Sequence, residues 1–103
     1  MAWLACLTGA SVVEAKSITV TMKSLSYDPK SLEVDIGDTV VWTNSSLTKH
    51  TATSDDDGKT FNTGEVKPDD KSSPVKFDKV GEFKYHCKIH GRSMSGAIVV
   101  KAK

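Results

Sequence analysis

With 103 residues the chain has room for one compact domain with a modest core, and not for two. Charged residues make up 26% and hydrophobic residues 38%, and a formal net charge of +1 with interspersed signs leaves no basic stripe of the kind nucleic acid requires. No segment approaches the roughly 18 apolar residues of a membrane span, so no stable membrane insertion is expected.

Residues 1–15, MAWLACLTGASVVEA, differ from the rest. They are small and apolar, carry one charge at Glu14, and end in Val13-Glu14-Ala15, which suits a signal-peptidase site before Lys16. A positive n-region is missing, so the segment reads as a truncated export signal, with 16–103 as the single domain. The competing reading is an N-terminal strand or arm. Cys6 and Cys87 are the only cysteines, which makes one disulfide conceivable in an exported protein. If Cys6 leaves with a signal, Cys87 is a lone thiol in an oxidising compartment, where a metal is a natural partner.

After Lys16 the pattern has period two. Ser17–Met22 places Ile18, Val20 and Met22 on one face, and Ser31–Asp38 repeats this with Leu32, Val34 and Ile36 before a Gly37-Asp38 turn. Thr39–Asn44 is a third strand, rich in β-branched and aromatic residues. Residues 45–74 are polar and irregular, with room for a short strand around Thr51–Ser54, and the run Asp55-Asp56-Asp57 reads as a solvated loop tip. Val75–Phe77 is short and alternating. Gly81–Cys87 puts Phe83, Tyr85 and Cys87 on one face and Lys84 and His86 on the other, and a final strand opens at Gly96. Several short strands punctuated by turns, with no helical periodicity, predict an all-β, two-sheet β-sandwich.

The stretch YHCKIHGRSM, Tyr85–Met94, carries a cysteine, a histidine and a methionine on a glycine-containing loop after a strand. Each residue alone has a bland role: Cys as small filler, His as a surface group, Met as core padding. Together they read as ligands to one metal. His86 points away from Cys87, so the fourth ligand falls to His50, which lies past the third strand and returns to the same end of the sandwich. Zinc sites are not closed by a thioether, and iron–sulfur clusters want more cysteines. Two imidazoles, one thiolate and a weak axial Met are what a type I copper electron-transfer site uses, so His50, Cys87, His90 and Met94 predict one copper ion (Cu+/Cu2+). The set leaves no position for substrate, which argues against an enzyme.

The sequence here resembles the small type I copper proteins, the cupredoxins, and looks most like amicyanin and plastocyanin. YDPKSLEVDIGDTVVWTN is similar to the family's strand–turn–strand before the first histidine, and VGEFKYHCKIHGRSMSGAIVV to its closing ligand segment. Tyr85-His86-Cys87 is similar to the tyrosine-histidine-cysteine of amicyanin. The resemblance implies an eight-stranded Greek-key sandwich and a diffusible one-electron carrier of the periplasm or thylakoid lumen. Residue by residue, His50, Cys87, His90 and Met94 fall on the family's ligand positions.

The chain departs from the pattern in three places. Ile89 stands where the family often has Pro, and Thr51 where an Asn commonly ties the ligand loops together. The Gly91-Arg92-Ser93 spacer is one residue longer than in amicyanin and one shorter than in plastocyanin. Thr51, Asn44 or Ser45 are candidates for the missing tie. His90 is expected to be partly exposed as the electron port, ringed by Ile89, Gly91 and Leu47, with His50 more buried and His86 a surface bystander. Lys49, Lys88 and Arg92 suggest a basic rim for redox donor and acceptor proteins with an acidic face, visited by a monomer. The main rival is a copper sequestration or delivery protein on the same fold. A metal-free interaction module is the third class.

Overall fold

A computed structural model describes residues 15–102, so the expected export signal lies outside the described residues apart from Ala15. Eight strands follow in chain order: β1 Ser17–Met22, β2 Tyr27–Asp28, β3 Ser31–Asp35, β4 Thr39–Asn44, β5 Thr53–Ser54, β6 Val75–Lys76, β7 Gly81–Cys87 and β8 Gly91–Lys101. They form two mixed four-stranded sheets, ordered β2-β1-β4-β6 and β3-β8-β7-β5. The two-sheet all-β sandwich read from the sequence is the fold observed.

Register explains why the inward faces meet. β1 and β4 run parallel with Ile18 opposite Val40, Val20 opposite Trp42 and Met22 opposite Asn44, so the alternation of both strands is in phase. In the other sheet β3 and β8 are parallel with Leu32 opposite Ile98 and Val34 opposite Val100. β7 and β8 are antiparallel, with Phe83 opposite Ile98 and Tyr85 opposite Gly96. Side chains from both sheets then fill one core: Val20, Met22, Val34, Val40, Trp42, Tyr85, Ile98 and Val100 are all buried. Trp42 stacks on Phe61 at 5.3 Å between centroids and meets Tyr85 edge-on at 5.4 Å.

Gly96 is required by that packing. A Cβ at this position would lie 2.7 Å from Cζ and Oη of Tyr85 and 2.8 Å from the backbone oxygen of Lys30. Ala at position 96 therefore displaces the buried Tyr85 ring or the Lys30 backbone, and Gly96→Ala is expected to cost about 1–3 kcal/mol of unfolding free energy. Urea denaturation checks this; an unchanged midpoint would show that the ring has room to move.

The last strand differs from the sequence expectation. It begins at Gly91 rather than Gly96, because a three-residue turn at Lys88–His90 lets the chain pair again at once. The ladder passes from His86–Ser95 directly to Cys87–Gly91, leaving Arg92, Ser93 and Met94 without register partners on β7. The spacer before Met94 is thus a bulge inside a hairpin rather than a free loop. Gly91 opens it at φ +74°, where a side chain would be strained although no atom crowds its Cβ position.

Candidate metal centre

His50 lies on the connection between β4 and β5, and that connection is wound around one side chain. Asn44, fully buried at the end of β4, donates through Nδ2 to the carbonyls of Thr48 at 2.7 Å and Val66 at 2.8 Å. Its Oδ1 accepts from the backbone N–H of Ser46 at 2.8 Å and the Ser46 hydroxyl at 2.7 Å. With its amide saturated, Asn44 gives an otherwise irregular segment a single shape. His50 is further pinned by backbone bonds in both directions with Val66, at 3.2 and 2.7 Å.

That arrangement also selects the tautomer of His50. The Ser46 hydroxyl proton is shared between Asn44 Oδ1 and the Thr48 carbonyl at 3.0 Å, so Ser46 Oγ, 2.8 Å from His50 Nε2, accepts the Nε2 proton. Nδ1 is left with its lone pair, and it points at Cys87 Sγ 3.8 Å away. An imidazole held through one nitrogen so that the other is free is the usual support for a metal-ligating histidine. Burial, and then the neighbouring His90, lower the pKa of His50 and favour the neutral ring a metal needs.

Cys87 ends β7 facing inward and is fully buried, as alternation from Phe83 and Tyr85 predicts, and it is a free thiol. The backbone N–H of Thr51 donates to its sulfur at 3.4 Å. The turn that follows brings His90 Nδ1 to 3.5 Å from the same sulfur. The two histidine rings are 4.8 Å apart, His50 fully buried and His90 half-buried, as expected from the sequence. The donor atoms of His50, Cys87 and His90 all lie within 4.8 Å of one another. An ion about 2.0 Å from nitrogen and about 2.3 Å from sulfur needs N···S separations of about 3.5–3.7 Å, so the three donors fit one first-row ion. Met94 is fully buried on the bulge four residues beyond His90.

Thr51 supplies the tie between the ligand loops. Its hydroxyl accepts the backbone N–H of Lys88 at 2.9 Å, while its carbonyl accepts the Tyr27 hydroxyl. Two further expectations need correction. His86 is not a bystander: its Nδ1 lies 2.6 Å from Asp55 Oδ1, and its side chain is only 16% exposed. Asp55 accordingly leaves the expected solvated tip, where Asp56 and Asp57 are exposed, and packs from the turn after β5 against β7, while its other oxygen holds Arg92 at 3.0 Å. The basic rim is also partly cancelled, since Lys49 pairs with Glu65 at 3.4 Å and Arg92 with Asp55, leaving Lys88 without an ion pair among the described residues. The rim instead presents Leu47 at 94% exposure and Ile89 at 46%. Among the described residues, no helix is long and apolar enough to cross a membrane.

Comparison with known proteins shows the family and the fold. The chain is 31% identical over 87 residues to chloroplastic plastocyanin of Tetradesmus obliquus, a match that covers 76% of this chain and 60% of that protein. An oxidised amicyanin variant superposes with a TM-score of 0.73 at 25% identity, covering 82% of this chain and 81% of that one. The copper-containing nitrite reductase of Thermus scotoductus contains a similar unit, with a TM-score of 0.74 and 31% identity over 90% of this chain but only 24% of the enzyme. The model of the cupredoxin-like domain matches residues 1–100, nearly the whole sequence. The chain belongs to the cupredoxin-like family.

Proposed function

We propose that the protein is a one-electron carrier in which His50, Cys87 and His90 would hold a single copper ion, with Met94 as a weak fourth donor. The observation that carries this reading is the convergence of one imidazole nitrogen each from His50 and His90 and the buried sulfur of Cys87 within 4.8 Å. Bound copper supplies the Cu(II)/Cu(I) couple. The protein's residues do the rest. Cys87 gives up its proton on binding, and the Thr51 N–H then donates to a thiolate. Hydrogen bonds through Asn44 and Ser46 hold His50, and Thr51 fixes the turn that carries His90. A donor set braced in this way changes little between oxidation states, which keeps reorganisation small.

His90 is the half-exposed ligand and offers the shortest route from the donor set to the surface. Leu47 and Ile89 beside it give an apolar docking patch for the redox donor and acceptor proteins. Lys88 adds one uncompensated cation, so a partner with an acidic face is favoured and association weakens only modestly with salt. The reading includes a monomer exported to the periplasm or a thylakoid lumen, supported by the match to a chloroplastic plastocyanin. It excludes catalysis, because four protein donors leave no position for substrate.

One equivalent of Cu(II) is expected to give an intense visible sulfur-to-copper band with the electron paramagnetic resonance of a single site. Reduction followed by a Cu(I) chelator should leave most copper on the protein. Colourless protein that surrenders Cu(I) readily would establish delivery instead. Met94→Leu is expected to keep the copper and raise the reduction potential, because a weak donor to Cu(II) is lost. An unchanged potential in voltammetry would show that Met94 is not axial.

A further inference from the structure

The bulge that precedes Met94 has no ladder partners on β7, yet Met94 is fully buried. Within the bulge, the Ser93 hydroxyl donates to the carbonyl of His90 at 3.0 Å, a bond that stays inside the segment. A side-chain link from the bulge to another segment is Arg92, whose Nη1 donates to Asp55 Oδ2 at 3.0 Å. Asp55 does not swing freely. It follows β5, which pairs with β7, and its backbone N–H donates to the Lys84 carbonyl at 2.9 Å. Its other oxygen is bonded to His86 Nδ1 at 2.6 Å, and its side chain is 30% exposed.

We propose that Asp55 is a positioning residue for the metal centre: it clamps the bulge to β7 by holding Arg92 and His86 on its two carboxylate oxygens, and so sets how closely Met94 approaches the ion. The clamp joins β7 and β8 through the turn that follows β5, and acts at both ends of the site. His86 is the chain neighbour of Cys87, and Arg92 is two residues from both His90 and Met94. A carboxylate that accepts on both oxygens from groups on different strands fixes their separation, whereas an isolated exposed pair fixes little. The inference rests on the copper reading above and adds to it a determinant of the axial distance.

Arg92→Gln and Asp55→Ala, each alone and combined with Met94→Leu, test the clamp. Arg92 is 67% exposed, so Arg92→Gln leaves folding intact even where Asp55→Ala does not. In the metal-free protein, both substitutions are expected to speed amide hydrogen exchange across 92–94. In the copper-loaded protein, both are expected to lower Cu(II) affinity relative to Cu(I) by about tenfold, raise the midpoint potential and alter the electron paramagnetic resonance spectrum. Charge alone predicts the opposite for Arg92→Gln, since loss of a nearby cation favours Cu(II) and lowers the potential. With Met94→Leu already present, Arg92→Gln should not shift the potential further in the raising direction, and Asp55→Ala should raise it only by the smaller amount that loss of its negative charge causes.

A lowered or unchanged midpoint in Arg92→Gln overturns the clamp, as does unchanged amide exchange. A rise in Arg92→Gln that persists undiminished beside Met94→Leu overturns the route through Met94. Failure of the unsubstituted protein to take up copper is a separate result. It overturns the copper reading itself, before any variant is compared.

Discussion

Cys87→Ser abolishes the intense visible absorption and lowers copper(II) affinity by more than about 100-fold, since residues that merely support a ligand already account for about 10–100-fold. The substitution is nearly isosteric, and the site is buried beneath Thr51 and the two histidines, so the fold survives. What changes is the donor. A serine hydroxyl is harder than a thiolate and far less acidic, so it serves neither the charge-transfer transition nor Cu(I). Copper titration with optical detection checks this. A variant that keeps the intense band would show that the sulfur is not bound to the ion.

Asn44→Leu is expected to cost about 3 kcal/mol or more of stability and, in whatever protein remains folded, about 10–100-fold in copper affinity. Both effects have one origin. The leucine takes one donor each from the Thr48 and Val66 carbonyls, which keep the Ser46 hydroxyl and the His50 N–H, and removes the acceptor of the Ser46 N–H. Ser46 also loses one of the two acceptors of its hydroxyl, keeping the Thr48 carbonyl at 3.0 Å, and the support of His50 through Ser46 is loosened. Ser46→Ala separates the two, because it removes the bond to His50 and leaves Asn44 its carbonyl partners. Its stability loss should be much the smaller and its affinity loss comparable. Chemical denaturation of the metal-free proteins beside copper titration reads both quantities; equal affinities across the three proteins would show that orientation of His50 does not matter.

The parts of the fold legible in the sequence are those governed by alternation. Thr39–Asn44 and Gly81–Cys87 have the predicted bounds, and the inward placement of Cys87 followed from its phase with Phe83 and Tyr85. Tyr27–Asp28 has two residues, too few to carry a period, and Thr53–Ser54 offered only a hint. The early start of β8 was hidden because glycine at position 91 signals a turn equally well as the end of one. His50, Cys87 and His90 were legible as a set because their chemistry is rare in combination.

The residues that hold them were not legible as a system. Nothing in the pattern of Asn44 announces four hydrogen bonds, beyond its place at the end of a strand shortly before a candidate ligand. Alternation assigned His86 to the outer face and stopped there, since its partner Asp55 lies 31 residues away and meets it only through the β5–β7 pairing. Lys49 and Arg92 looked like free cations for the same reason: their carboxylates come from other segments. Long-range polar pairing leaves no periodic trace, and here it shapes both the site and its rim.

The central claim is that one copper ion stays in one braced site while it gains and loses a single electron. Voltammetry of the copper-loaded protein tests this most directly. The account predicts one reversible one-electron wave, stable over repeated cycles, with the copper still bound at the end. An irreversible wave, or copper released into solution on reduction, would contradict it and assign the protein to copper handling instead.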